Sequence, residues 1–263
     1  MRASNLSSAV LSSAVKVPTR EKPILAGLYL SKYDLRGLKK LGFETFAEAF
    51  NVIGYALGSK PASIKNYRDE FDPLFPNRRK GWHRREIRDY CLAVFKEYDG
   101  LDFESFTGLV KSLFGYDENR LSEIVPPEQE DDDASSFARR LITGLAAERY
   151  FESIYAVLPE FEGYLVENTT RLGCGYDFRL RMEPNHADFL AVEVKGLKEQ
   201  SGSVLMTPKE YNTASAMKER FFLFVVRNFR ESPFHEIFQN PSEALHFRKI
   251  ERVTVQISWL TSI

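Results

Sequence analysis

The 263-residue chain has two cysteines, two tryptophans and four histidines, and its 36 basic residues almost cancel its 37 acidic ones. Each shortage excludes something. A net charge of −1 provides no global basic field to draw the chain onto nucleic acid, so any such contact must come from a local patch. Cys91 and Cys174 lack metal-site spacing and suit a reduced, cytoplasmic setting. Cys174 has no neighbouring His or Asn signature that would make it a nucleophile. His83, His186, His235 and His246 have no metal spacing either. No run approaches 18 consecutive apolar residues, which excludes a helical membrane span and any membrane partner that needs one. The Ser/Ala/Val-rich start lacks the sustained apolar core of a signal peptide, so residues 1–22 read as a disordered tail.

What is present divides in the middle. Hydrophobic content of 43% is enough for a core, and the length allows one large or two medium domains. Residues 116–136 hold eight acids against one arginine, with Pro126-Pro127 and Asp131-Asp132-Asp133. That composition cannot bury a core and predicts an acidic linker. Upstream, residues 23–115 predict an all-helical domain, with short amphipathic segments near 24–30, 34–41, 45–57, 61–71, 82–97 and 103–113. Between Lys60 and Arg88 lie nine basic residues and four acids. Lys60, Lys65, Asn66, Arg68, Arg78, Arg79, Lys80, Arg84 and Arg85 are therefore the candidate DNA contacts, with residues 60–68 resembling the opening of a recognition helix. The other reading of this patch is a solvated face on a protein-interaction domain.

Downstream, residues 137–263 predict a mixed α/β domain. Residues 136–157 have helical periodicity, and 163–169 read as a strand. Residues 176–182 alternate, with Phe178, Leu180 and Met182 on one face and Asp177, Arg179 and Arg181 on the other. Residues 190–195 place Val192 and Val194 inward and Glu193 and Lys195 outward. The polar stretch between them contains Pro184 and Asn185, so the two runs predict a hairpin. With its tip near Asn185, facing positions sum to 370 and Asp177 falls opposite Glu193. Two facing carboxylates repel unless a cation neutralises them, and carboxylates suit Mg²⁺ or Mn²⁺. Lys195, beside Glu193, could orient a water or offset charge on a phosphate. The competing reading leaves all three as solvated charges on a half-exposed sheet.

Thr207-Pro208-Lys209-Glu210 forms a capping box with proline at the first helical position, opening a helix to about Arg220. That accounts for Thr207 and Glu210 as helix-start residues rather than catalysts. The apolar run 221–226 suits a buried strand, and 252–259 could extend the sheet.

The run Gly175-Tyr176-Asp177-Phe178, then Val192-Glu193-Val194-Lys195-Gly196-Leu197, then Met206-Thr207-Pro208-Lys209-Glu210-Tyr211 and Phe222-Leu223-Phe224-Val225-Val226 resembles the NO VEIN-type C-terminal domain over about residues 137–230. That domain looks like a branch of the PD-(D/E)XK restriction-endonuclease-like superfamily, although Tyr176 stands where the namesake proline would be. The resemblance implies an αβββαβ restriction-endonuclease-like mixed-sheet core. It implies Asp177 and Glu193 as metal ligands with the Val194 carbonyl, Lys195 as the catalytic lysine, and Glu148 on the first core helix as a fourth site residue, with Glu152 its competitor. It implies a Mg²⁺- or Mn²⁺-dependent DNA endonuclease of restriction or anti-phage defence type. A homodimer and a larger defence complex are both open as assemblies. A non-catalytic nucleic-acid-binding or specificity subunit with the same fold is the main alternative, and a protein-interaction module the second.

Overall fold

The computed structural model describes residues 17–77, 79, 85–115, 134–184 and 187–251, with the backbone alone for 134–138. Residues 116–133 of the expected acidic linker, the expected strand at 252–259 and the hairpin tip with Asn185 and His186 lie outside these residues, and the linker's last three positions, 134–136, belong to a helix instead.

Among the described residues the first half holds five α-helices: α1 (Lys22–Lys40), α2 (Phe46–Ala56), α3 (Pro61–Phe71), α4 (Asp89–Tyr98) and α5 (Phe103–Ser112). Local chemistry sets their ends. Thr45 caps α2 by accepting from the Glu48 N–H, and Asp102 caps α5 through Ser105. Pro61 begins α3, where its missing N–H costs nothing. The two helices expected at 24–30 and 34–41 run together as α1, interrupted at Asp34, whose φ of 47° is left-handed.

The second half runs α6 (Ala134–Ile154), β1 (Leu165–Asn168), β2 (Phe178–Arg181), β3 (Leu190–Gly196), α7 (Pro208–Met217), β4 (Phe221–Arg227), β5 (Phe234–Gln239) and α8 (Pro241–Ala244). The strands form an open sheet in sequence order, antiparallel except for the parallel pair β3 and β4. From α6 to β4 the order is helix, three strands, helix, strand. Residues 202–207, leading into α7, form no helix or strand. β5 was not foreseen.

The sheet is covered on both faces. Phe178, Leu180, Val192, Val194, Phe222 and Phe224 are buried toward α6, where Phe151 meets Phe178 and Phe224 with ring centroids 4.9 and 5.0 Å apart. On the other face Tyr176, Ala191 and Phe221 pack with Ala214 of α7. Met182, expected inward, follows the last residue of β2 and is 56% exposed. The buried stripe of α6 is Ile142, Ala146, Ala147, Tyr150 and Phe151, which leaves Leu141 exposed.

The helical half is not held apart from the sheet. A single core runs from Val17 to Phe229, and α2 lies on α6 with Tyr55 against Tyr150 at 5.1 Å. Asn51 of α2 donates to the carbonyls of Phe229 and Glu231 at 2.9 and 3.0 Å.

Candidate active site

The register of β2 on β3 is Phe178 with Val192, Arg179 with Ala191 and Leu180 with Leu190. Each pair sums to 370, so the next position brings Asp177 alongside Glu193. There the ladder gives way to a side-chain contact: the Asp177 N–H still donates to the Val192 carbonyl at 3.0 Å, while its Oδ2 accepts the Val194 N–H at 2.9 Å. Thr169 holds the Asp177 carbonyl from the other side through its N–H, at 2.7 Å. The aspartate is thus fixed by backbone groups on both strands flanking it.

Two glycines let the helices close on this point. At Gly196 a Cβ would lie 3.0 Å from the Thr143 carbonyl, so only glycine lets α6 rest on the end of β3. Gly175 has φ of 88°, and a Cβ there would lie 2.5 Å from Thr213 Oγ1 of α7. The glycine before the aspartate therefore serves a helix approach.

A cavity of about 430 Å³ gathers four carboxylates with Lys195 in its lining: Glu148 from α6, Asp177 before β2, Glu193 and Lys195 from β3, and Glu210 from α7. Lys195 Nζ contacts Glu193 Oε1 at 2.6 Å and donates to Glu210 Oε2 at 2.9 Å. Thr170 Oγ1 reaches Glu148 Oε2 at 3.5 Å. Glu152, the competitor of Glu148, pairs with Arg149 at 2.6 Å and does not line the cavity.

Glu193 is only 3% exposed, because α7 covers the face on which it was expected to meet solvent. The electrostatics follow from that burial. Burial and the Asp177 charge raise the Glu193 carboxyl well above its ordinary value. Burial likewise raises Asp177, and the Val194 N–H and Lys195 offset only part of this. Glu148 is pushed up to about 7 by burial, then by the charges of Asp177 and Glu152. Burial pulls the Lys195 ammonium down, but Glu193 and Glu210 outweigh it and leave its pKa raised. Lys195 contacts Glu193 and Glu210, and the carboxyls of Glu148, Asp177 and Glu193 still remain raised.

Among the described residues no three His, Cys, Asp or Glu side chains are arranged to hold a metal ion. The donor set present is smaller: Asp177 and Glu193 side by side, with Val194 lining the same cavity. That fits Mg²⁺, which takes one or two protein carboxylates and completes its shell with water and phosphate oxygens.

Glu210 is the site residue that sequence reasoning set aside. Its Oε2 accepts both the Thr207 N–H and Lys195 Nζ, each at 2.9 Å, so the capping box and the site contact share one oxygen. The signal was its place on the first turn of the helix after the Glu193 strand.

The basic candidates of the helical half separate into two groups. Lys60, Lys65 and Asn66 lie exposed at the start of α3. Arg68, expected as a groove reader, is instead buried, bound to Asp69 at 2.5 Å and stacked over Phe46 and Phe50. Its face of α3 meets α1 closely enough that a Cβ on Gly27 would lie 2.5 Å from that of Tyr67. Arg79 pairs with Asp72 and Asp34, and Arg85 with Glu70 at 2.7 Å. Arg78, Lys80 and Arg84 lie outside the described residues.

No helix among the described residues is long and apolar enough to cross a membrane. No curated protein and no solved structure matches the chain. Residues 147–239, which run from α6 through β5 and include Glu148, Asp177, Glu193, Lys195 and Glu210, match the family described as Protein NO VEIN, C-terminal, as the resemblance in the sequence implies.

Proposed function

We propose that the chain is a metal-dependent DNA endonuclease, of restriction or anti-phage defence type, with its active site in this cavity. The observation that carries the reading is the convergence of Glu148 from α6, Asp177 before β2, and Glu193 and Lys195 from β3 onto one cavity. The order α6, β1, β2, β3, α7, β4 with β3 parallel to β4 supports a restriction-endonuclease-like core.

On this reading Asp177, Glu193 and the Val194 carbonyl would hold Mg²⁺ or Mn²⁺. When bound, the ion supplies Lewis-acid polarisation of the phosphate and a water of lowered pKa. Lys195, kept charged by Glu193 and Glu210, orients the attacking water and offsets negative charge as the phosphorus becomes five-coordinate. Glu148, held near neutrality, can take up the water's proton at its Oε. Lys60, Lys65 and Asn66, exposed on α3, are the remaining candidates of the helical half for phosphate contact.

Purified full-length protein with Mg²⁺ or Mn²⁺ should nick or cut a plasmid, and Glu193→Ala or Lys195→Ala should lower the rate at least about 10²-fold while the protein stays folded. DNA binding without any metal-dependent nicking overturns the enzyme reading in favour of a nucleic-acid-binding subunit. Absence of both points to a protein-interaction module.

A further inference from the structure

The cavity is lined by two opposed sets of charge, set at the two ends of one stretch of α6. Glu148 and the other carboxylates, with Lys195, make one. Arg139 and Arg140, about two turns earlier on α6, and Lys198, just beyond β3, make the other, and none of the three was among the basic candidates of the sequence. Arg139 Nη1 reaches the Gly42 carbonyl at 3.3 Å, and Lys198 Nζ contacts Glu44 at 2.5 Å and Glu199 at 3.8 Å. Glu44 is a mostly exposed partner, and such a pair is weak enough for a phosphate to replace.

Between the ends α6 presents Gly144 to the cavity. Glycine weakens the interior of a helix, so its use there needs a reason. Packing among the described residues supplies none, since beyond its chain neighbours and its own helix backbone nothing lies within 4 Å of where its Cβ would be. That face of α6 is open to the close approach of a ligand. Eight helical residues separate Arg140 from Glu148, about 12 Å along the axis. One strand of B-form DNA presents a phosphate about every 3.4 Å of axis, so that span covers roughly three or four phosphates.

We propose that Arg139, Arg140 and Lys198, with the open face at Gly144, form a track for the sugar–phosphate backbone of a DNA strand whose scissile bond lies at the carboxylates. The track takes its direction from the nuclease reading, and its test is independent of cleavage.

Binding of a fluorescent duplex to the full-length protein is titrated in EDTA across a range of salt. Plasmid nicking with Mg²⁺ or Mn²⁺ is followed in parallel. The combined variant Arg139→Gln, Arg140→Gln, Lys198→Gln should bind at least about tenfold more weakly at low salt. Its slope of log K against log salt should fall by about two to three, near 0.9 for each phosphate that is no longer neutralised. Gly144→Leu should raise Tm, because leucine favours helix, yet weaken binding. A purely structural role for these positions would move stability and binding together. An unchanged salt slope in the triple variant, an unchanged affinity in Gly144→Leu, or no binding by the wild type overturns the track. Nicking by a wild type whose triple variant keeps its salt slope sinks the track and leaves the nuclease standing. A slope that falls in the triple variant of a protein that never nicks does the reverse.

Discussion

Buried carboxylates occur in both halves of the molecule, and they are treated in opposite ways. In the helical half Glu70, 1% exposed, accepts from the side chains of Arg85 and Arg88 and from the Arg88 N–H. Burial pushes its carboxyl up, but the two arginines outweigh that and leave it lowered. Asp72 is similarly enclosed by Ser31 and Arg79. In the sheet half Lys195 pairs with Glu193 and Glu210, yet the carboxyls of Glu148, Asp177 and Glu193 are all raised. Burial is common to both regions; compensation is not. The helical carboxylates are finished structural joints, whereas the sheet cluster keeps its carboxyls raised.

The comparison breaks most visibly in stability. Glu70→Ala strips the Arg85 and Arg88 side chains and the Arg88 N–H of their acceptor and should cost about 2–3 kcal/mol, below the roughly 3–5 kcal/mol of a fully buried broken pair because both arginines are partly exposed. Glu193→Gln should do the opposite and stabilise the metal-free protein at pH 8 by on the order of 1 kcal/mol, since Lys195 keeps Glu210 while one repelling charge disappears. Chemical denaturation in EDTA checks both signs. Destabilisation of equal size in the two variants would end the distinction.

The same contrast explains what the sequence could reveal. Alternation in two strands and a turn between them sufficed to place Asp177 against Glu193, because a one-residue slip would have put Phe178 and Val192 in water. The burial of Glu193 was not legible, since it depends on α7 crossing a face that strand alternation alone marks as exposed. Glu210 was hidden because the capping box explained it completely, and local explanations do not reveal a second, tertiary partner. Arg68, Arg79 and Arg85 were counted as a surface patch because charge composition does not show which cations face inward carboxylates. β5 lacked a clear signal: its outward face carries Phe234 beside Glu236, so it shows no clean apolar alternation.

Dependence on pH sharpens the comparison further. Glu148 sits at about 7 against an ordinary 4.5, so the folded protein binds this proton more tightly than the unfolded chain. Stability from such a group is complete below 4.5 and is lost as pH rises through 7. Glu70, being lowered, contributes above its ordinary value and loses that contribution in acid. In EDTA, Glu148→Gln should therefore become more stable than the wild type as pH rises from 5 to 8, by about 1–2 kcal/mol at the upper end. Mg²⁺ should narrow the gap. A difference constant across this range would show that Glu148 is not raised.

The smallest effect tests the shared oxygen of Glu210. Glutamine also serves at the third position of a capping box, so Glu210→Gln keeps the start of α7 and should shift stability by less than about 0.5 kcal/mol. What it removes is one of the two negative charges that hold Lys195 protonated. The Lys195 pKa should fall, and the alkaline limb of the nicking profile should move to lower pH, while the rate at pH 7 changes by less than about tenfold, or 1.4 kcal/mol. Glu210→Ala should add a loss of helix stability without moving that limb further. An alkaline limb that stays in place in Glu210→Gln would return the residue to a capping role alone, and Lys195 would then answer to Glu193 only.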